Sequence, residues 1–225
     1  MRQSLQIPKF GGPEVLKLVE QPPEAIRPGA VRIAVAAAGV NFADLMMRQG
    51  LYPEAPKPPF VPGYEVSGKV TEVSDGVTHV SVGDRVLAGC MFGGYTTEIV
   101  VTGNAVRKVP DSLTDVEAAA VPVNFMTAWI ALMEMARVRK GDRILVQSAA
   151  GGVGTAAVQI AARAGAHVVG LVGSSAKSEV VRDLGASEVL LNADWESGKD
   201  SDHSGYDLIL DATGGASLKR SLRRL

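Results

Sequence analysis

The run ILVQSAAGGVGTAAVQIA, residues 144–161, constrains this chain more than any other part of it. An apolar stretch, a glycine-rich turn and a small-residue stretch follow one another, which reads as strand, turn and helix. Such a turn lets the backbone approach a pyrophosphate closely, and the helix N-terminus aims free N–H groups and a favourable dipole at the anion. The spacing is Ser148-x-x-Gly151-x-x-Gly154, so a serine stands at the first glycine of the usual dinucleotide fingerprint. Ser148, Gly151, Gly152, Val153 and Gly154 are therefore the candidate phosphate-binding residues. A second strand one crossover later supplies context that the spacing alone lacks. Glycines that serve only strand–helix packing remain the competing reading. The 19 uncharged residues from Ile144 to Ala162 approach the length of a spanning helix. Gln147, Ser148, Thr155, Gln159 and the central glycines break that pattern, so no membrane span is expected.

Proline divides the chain. All 12 prolines lie at or before Pro122. Residues 1–122 read as a β-rich module with glycine and proline corners: Val31, Ile33 and Val35 alternate with polar or small neighbours, and Glu65 to Val73, Arg85 to Ala88 and Tyr95 to Val101 are further strand-like runs. Between them Asn41 to Gln49 reads as a short helix, with Asn41 as N-cap and Gly50 closing it. Residues 123–225 alternate strand-like and helix-like runs, the pattern of a parallel sheet flanked by helices. Strands are expected at 143–147, 167–172, 188–191 and 207–210, and helices from Asn124 to about Arg137 and over 153–164 and 177–184. The final segment, 216–225, places Leu218, Leu222 and Leu225 on one helical face, with Lys219, Arg220, Arg223 and Arg224 on the other. A basic face of this size reads as a solvated one.

Composition narrows the function classes. The 225 residues carry 23 Lys and Arg against 24 Asp and Glu, which argues against a nucleic-acid partner. One cysteine, Cys90, allows no internal disulfide, and no apolar leader follows Met1, so a cytoplasmic setting is expected. Cys90, His79, His167 and His203 stand at unrelated spacings, unlike a structural zinc site, and no metal is expected.

The cofactor choice rests on the end of the second expected strand. An acidic residue there would bond the ribose 2′-hydroxyl of NAD. The sequence is instead Gly173-Ser174-Ser175-Ala176-Lys177. Hydroxyls and a cation suit a 2′-phosphate, so Ser174 and Lys177 point to NADPH. Lys177 as an ordinary helix-surface residue is the alternative.

These motifs, together with VNFADLMMRQGLYP at 40–53, PGYEVSGKV at 62–70, VGDRV at 82–86, AAAVPVNFMTAW at 118–129 and DATGG at 211–215, resemble the zinc-independent quinone oxidoreductase and zeta-crystallin branch of the medium-chain dehydrogenase/reductases. The vesicle amine transport protein-like subgroup looks nearest, and the resemblance covers essentially the whole chain. It implies an α/β architecture: an N-terminal GroES-like barrel carrying the catalytic groups and a C-terminal Rossmann domain holding NADPH. Zinc-dependent relatives place a cysteine and a histidine where this sequence has Asn41 and Tyr64. Without a Lewis acid, reduction of an electron-poor acceptor, a quinone or an α,β-unsaturated carbonyl, is the chemistry expected.

Carried over by motif, Asn41 and Tyr52 would bond a substrate carbonyl as charge develops, and Thr127 would bond the nicotinamide carboxamide. Tyr52 as a packed loop aromatic and Thr127 as a residue bonding its own helix remain open. Asp44 and Arg48, four apart, are expected to form a structural ion pair. Two departures stand out. Met46 and Met47 occupy places where some relatives carry a tyrosine, and Leu191-Asn192-Ala193-Asp194 lacks the tyrosine often presented to the adenosine phosphate. The leading expectation is an NADPH-dependent reductase of quinones or enones, with an enoyl-thioester reductase and a non-catalytic, crystallin-like nucleotide-binding protein as alternatives. The resemblance also implies a homodimer. A Rossmann sheet has six strands. Only four are legible after residue 142, so the chain is expected to be a truncated form with impaired stability and NADPH affinity.

Overall fold

The computed structural model describes residues 1–198 and 205–225, and His203 lies outside them. The chain forms two compact units, Met1–Val123 and Asn124–Leu225.

The first unit is built on a five-stranded antiparallel sheet. Its strands are β3 (Ala30–Ala38), β4 (Glu65–Val73), β5 (Arg85–Gly89), β6 (Glu98–Thr102) and β7 (Val106–Lys108), in the order β6-β3-β4-β5-β7. Alternating valines and isoleucines place one face of each strand inward, and Val31, Ile33, Val66, Val70, Val86 and Val106 are buried together. Two irregularities in the β3–β4 pairing, at Arg32/Ile33 and Val35/Ala37, curve the sheet. A hairpin of β1 (Arg2–Gln6) and β2 (Lys17–Gln21), not foreseen from the sequence, pairs separately.

The helix α1 (Phe42–Gln49) forms where expected. Asn41 flanks it in extended conformation, and Gly50 ends it at φ 76°, the left-handed geometry in which glycine has no Cβ penalty. Asp44 and Arg48 do not form the expected ion pair. The Asp44 carboxylate accepts from Asn41 N, Gly63 N and the Tyr95 hydroxyl, while Arg48 donates to the Gly11 carbonyl. Helix α2 (Asp115–Ala119) carries a capping box of Thr114 and Glu117.

The second unit contains four parallel strands, β8 (Arg143–Val146), β9 (His167–Val172), β10 (Glu188–Leu191) and β11 (Leu208–Leu210), in the order β10-β9-β8-β11. Counted within the unit this is 3-2-1-4, the first four places of the dinucleotide-binding order 3-2-1-4-5-6. The strands are near-continuous apolar runs, as expected of a sheet covered on both faces. Val146, Val158 and Val168 are buried with Ala156 and Ala157 of α4 (Gly152–Arg163).

Helix α2 was not foreseen, and three further helices differ from the sequence reading. Helix α3 (Pro122–Trp129) starts before Asn124, because Pro122 fits the first turn of a helix. It widens into a π-helix over Ile130–Met135 and does not reach Arg137 as α-helix. After α5 (Ser178–Asp183) comes α6 (Asn192–Ser197), unforeseen in the sequence. In α7 (Ala216–Leu222) the leucine face is not the packed one: Leu218 and Leu222 are 44% and 64% exposed. Ser221 is buried instead and takes a hydrogen bond from Gln147, while the guanidinium groups of Arg220 and Arg224 lie 4.7 and 5.7 Å from the ring centroid of buried Trp195. The basic face of this segment is thus partly packed on an aromatic ring, as cation–π contact favours.

Candidate functional site

In the second unit the fingerprint folds as strand, turn and helix. Ser148 adopts φ 50°, the left-handed conformation that glycine usually supplies at this point of the turn. Gly154 is buried beneath it: a Cβ there would overlap the Ser148 carbonyl oxygen and lie 2.8 Å from the Ala149 Cα, so only glycine allows the helix to sit this close to the strand end. Gly151 and Gly152 are exposed and Val153 is half-buried. No described side chain caps the start of α4, and its first turn carries no acidic residue. Its leading N–H groups are therefore open to an anion.

Around this turn the carboxyl ends of the strands gather polar groups. Gln147, buried after β8, accepts a hydrogen bond from the Thr213 hydroxyl and donates to Ser217 and Ser221 at 3.0 Å each. Asp211, after β11, accepts from Thr213 N at 2.9 Å and Gly214 N at 2.7 Å through one oxygen. Its other oxygen, Asp211 Oδ2, and Asn192 Oδ1 after β10 are buried without a hydrogen-bond partner among the described residues. Buried acceptors left unpaired are costly and need an explanation. Open helix N–H groups and two unpaired acceptors at this sheet edge fit a dinucleotide. Ser174 and Lys177 are exposed on the turn that leaves β9, and Thr127 is exposed on α3.

In the first unit Asn41 and Tyr52 bracket α1. The Asn41 side chain donates from Nδ2 to Glu65 Oε1 at 2.8 Å. Tyr52 packs into a cluster with Ile7, Met47 and Phe60, and its ring meets that of Tyr64 edge-on at 6.5 Å between centroids. Tyr52 is thus a packed, half-buried aromatic. Burial, with Tyr52 beside it, raises the Tyr64 phenol above the usual tyrosine range. Burial pushes the Cys90 thiol up to about 12, with Asp44 and Glu65 adding to the effect, so this cysteine is no nucleophile near neutrality.

The sequence reading missed two residues of this cluster. Glu65 is 1% exposed and opens β4; Tyr95 donates to Asp44 at 3.0 Å. Burial raises the pKa of both Asp44 and Glu65, against the hydrogen bonds they accept. A glutamate on the inward side of an apolar strand was the available signal. Among the described residues no group of three or more His, Cys, Asp or Glu is arranged to hold a metal ion, and no helix is long and apolar enough to cross a membrane.

An antiparallel module followed by a 3-2-1-4 parallel sheet with a glycine-rich first crossover is the arrangement of a two-domain dinucleotide-binding protein. Residues 27–111 match the alcohol dehydrogenase GroES-like domain family, and residues 152–225 match the zinc-binding dehydrogenase family. The quinone oxidoreductase of Thermus thermophilus, whose structures include a complex with NADPH, is 36% identical with a TM-score of 0.86, over 99% of this chain and 70% of that one. The CurK enoyl reductase gives a TM-score of 0.90 at 29% identity, over 100% of this chain and 71% of that one. The human synaptic vesicle membrane protein VAT-1 homolog-like is 36% identical over 96% of this chain, which spans 52% of that relative. The chain belongs to the medium-chain dehydrogenase/reductase superfamily, in its quinone oxidoreductase and VAT-1-like branch.

Proposed function

We propose that the chain serves a zinc-independent, NADPH-dependent reduction of quinones or related α,β-unsaturated carbonyls. The observation that carries this reading is the presence in one chain of an uncapped, glycine-lined helix N-terminus and of Asn41 and Tyr64 at the positions where zinc-dependent relatives hold cysteine and histidine. An amide and a phenol of raised pKa are poor zinc ligands but good hydrogen-bonding groups.

NADPH, when bound, supplies the hydride. The backbone of Gly151, Gly152, Val153 and Gly154 and the Ser148 hydroxyl bind its pyrophosphate. Ser174 and Lys177 bind the 2′-phosphate, where a carboxylate would repel it. Thr127 would bond the carboxamide, and the oxygens of Asn192 and Asp211 that lack a partner among the described residues would accept from ribose hydroxyls. Asn41 and Tyr52 donate to the acceptor's carbonyl oxygen as negative charge develops there. Tyr52 can then release its proton to that oxygen.

A second reading, reduction of an enoyl thioester, draws support from the likeness to the CurK enoyl reductase. Steady-state rates with a quinone and with an enoyl thioester separate the two. Quinone turnover is expected, and turnover of the thioester alone overturns the first reading. Binding of NADPH with no oxidation across both acceptors identifies a non-catalytic, crystallin-like nucleotide-binding protein.

A further inference from the structure

Glu65 carries two hydrogen bonds and no obvious share in the chemistry. Its Oε1 accepts from Asn41 Nδ2 at 2.8 Å and its Oε2 from Val123 N at 2.7 Å. Both oxygens act as acceptors, the pattern of a carboxylate. Gly39 makes room for it: a Cβ at that position would overlap the Glu65 carboxyl group. The chain thus keeps a side chain out of position 39 and buries an acid in the space.

An acceptor-only group facing an asparagine admits one orientation of the amide. Turning Asn41 over would set its Oδ1 against Glu65 Oε1, two acceptors with no proton between them. We propose that Glu65 is a positioning residue: by taking one amide proton of Asn41 it fixes that amide and leaves the second proton as the donor offered to a substrate carbonyl. This rests on the reading of Asn41 as the carbonyl-binding group. Its share in the reaction runs through Asn41, while its other oxygen holds the Val123 N–H.

Glu65→Gln isolates the effect. The glutamine oxygen can keep the Val123 N–H, while its amide nitrogen faces Asn41 and favours the turned-over amide. In NADPH-dependent quinone reduction, kcat is expected to fall by roughly ten- to hundredfold, the range for a lost oxyanion donor or somewhat less, with KM for NADPH little changed. Asn41→Ala should lose a similar factor, and the double variant should be no slower than Asn41→Ala. Glu65→Asp should recover part of the rate. Structural damage alone would add to the Asn41→Ala loss, so an additive double variant overturns the proposal, as does a Glu65→Gln variant with unchanged kcat. If the parent chain turns over no quinone, the reductase reading fails, and the proposal is decided by NMR. The Asn41 side-chain NH2 signals, assigned by their loss in Asn41→Ala, should shift in Glu65→Gln. Unshifted signals overturn it.

Discussion

Asp44 and Glu65 are held protonated more readily in the folded chain than in the unfolded one, because burial outweighs their hydrogen bonds. A raised folded-state pKa contributes stability that is present below the unfolded value, about 4.3 for glutamate. That contribution is lost as pH rises through the folded value. Partly buried Asp84 and exposed Glu117 are shifted the other way, by Lys108 and by Thr114 respectively, and their contribution is lost as pH falls. Urea midpoints measured across this range should show the Glu65 contribution falling as pH rises in the parent chain and absent in Glu65→Gln. A parallel curve for the variant contradicts the assignment. Gly154→Ala tests the other unit. The added methyl meets backbone at the Ser148 carbonyl and Ala149, neither of which can yield as a flexible side chain could. A loss of roughly 1–3 kcal/mol is expected from overpacking, together with weaker nucleotide binding, read by urea unfolding and by NADPH titration.

At the scale of elements, α7 separates two accounts of what packs it. Leucine spacing alone points to Leu218 and Leu222 as the buried face, whereas the structure buries Ser221 against Gln147. Leu222→Ser should therefore change stability by no more than about 0.5 kcal/mol, while Gln147→Ala, which strips partners from Ser217, Ser221 and Thr213, should cost about 1–3 kcal/mol. The reverse ranking restores the leucine face. The elements legible in advance were those with two agreeing signals. Helix α1 had Asn41 before it and Gly50 after it, and β9 and β10 were continuous apolar runs bounded by turns. Helix α2 escaped notice although Thr114 and Glu117 spell a capping box, because five residues show no apolar period. The β1–β2 hairpin depends on pairing across a long connection, which local pattern does not encode. Of the candidate site, Asn41 and Tyr52 were proposed from motif, whereas Glu65 and Tyr95 enter through contacts with residues distant in sequence. The Asp44–Arg48 spacing misled for the same reason: Gly63, Tyr95 and Gly11 are better partners than the helix neighbour.

At the scale of the molecule, the glycine-rich run of residues 144–161 becomes the first crossover of a 3-2-1-4 parallel sheet. A serine at its first glycine position is accommodated at φ 50°. The chain matches 70% of the Thermus thermophilus quinone oxidoreductase and 52% of the human VAT-1-like relative. The proposed activity combines three separable properties: hydride from NADPH, preference for the 2′-phosphate through Ser174 and Lys177, and independence of metal. One measurement reads all three, the kcat/KM for quinone reduction with NADPH and with NADH in the presence of a metal chelator, for the parent chain and for Lys177→Asp. The account predicts turnover that the chelator leaves intact, a preference for NADPH, and loss of about tenfold or more of that preference in Lys177→Asp, as expected when a charge-assisted contact becomes a repulsive one. Turnover abolished by the chelator, or a preference for NADH in the parent chain, would contradict it.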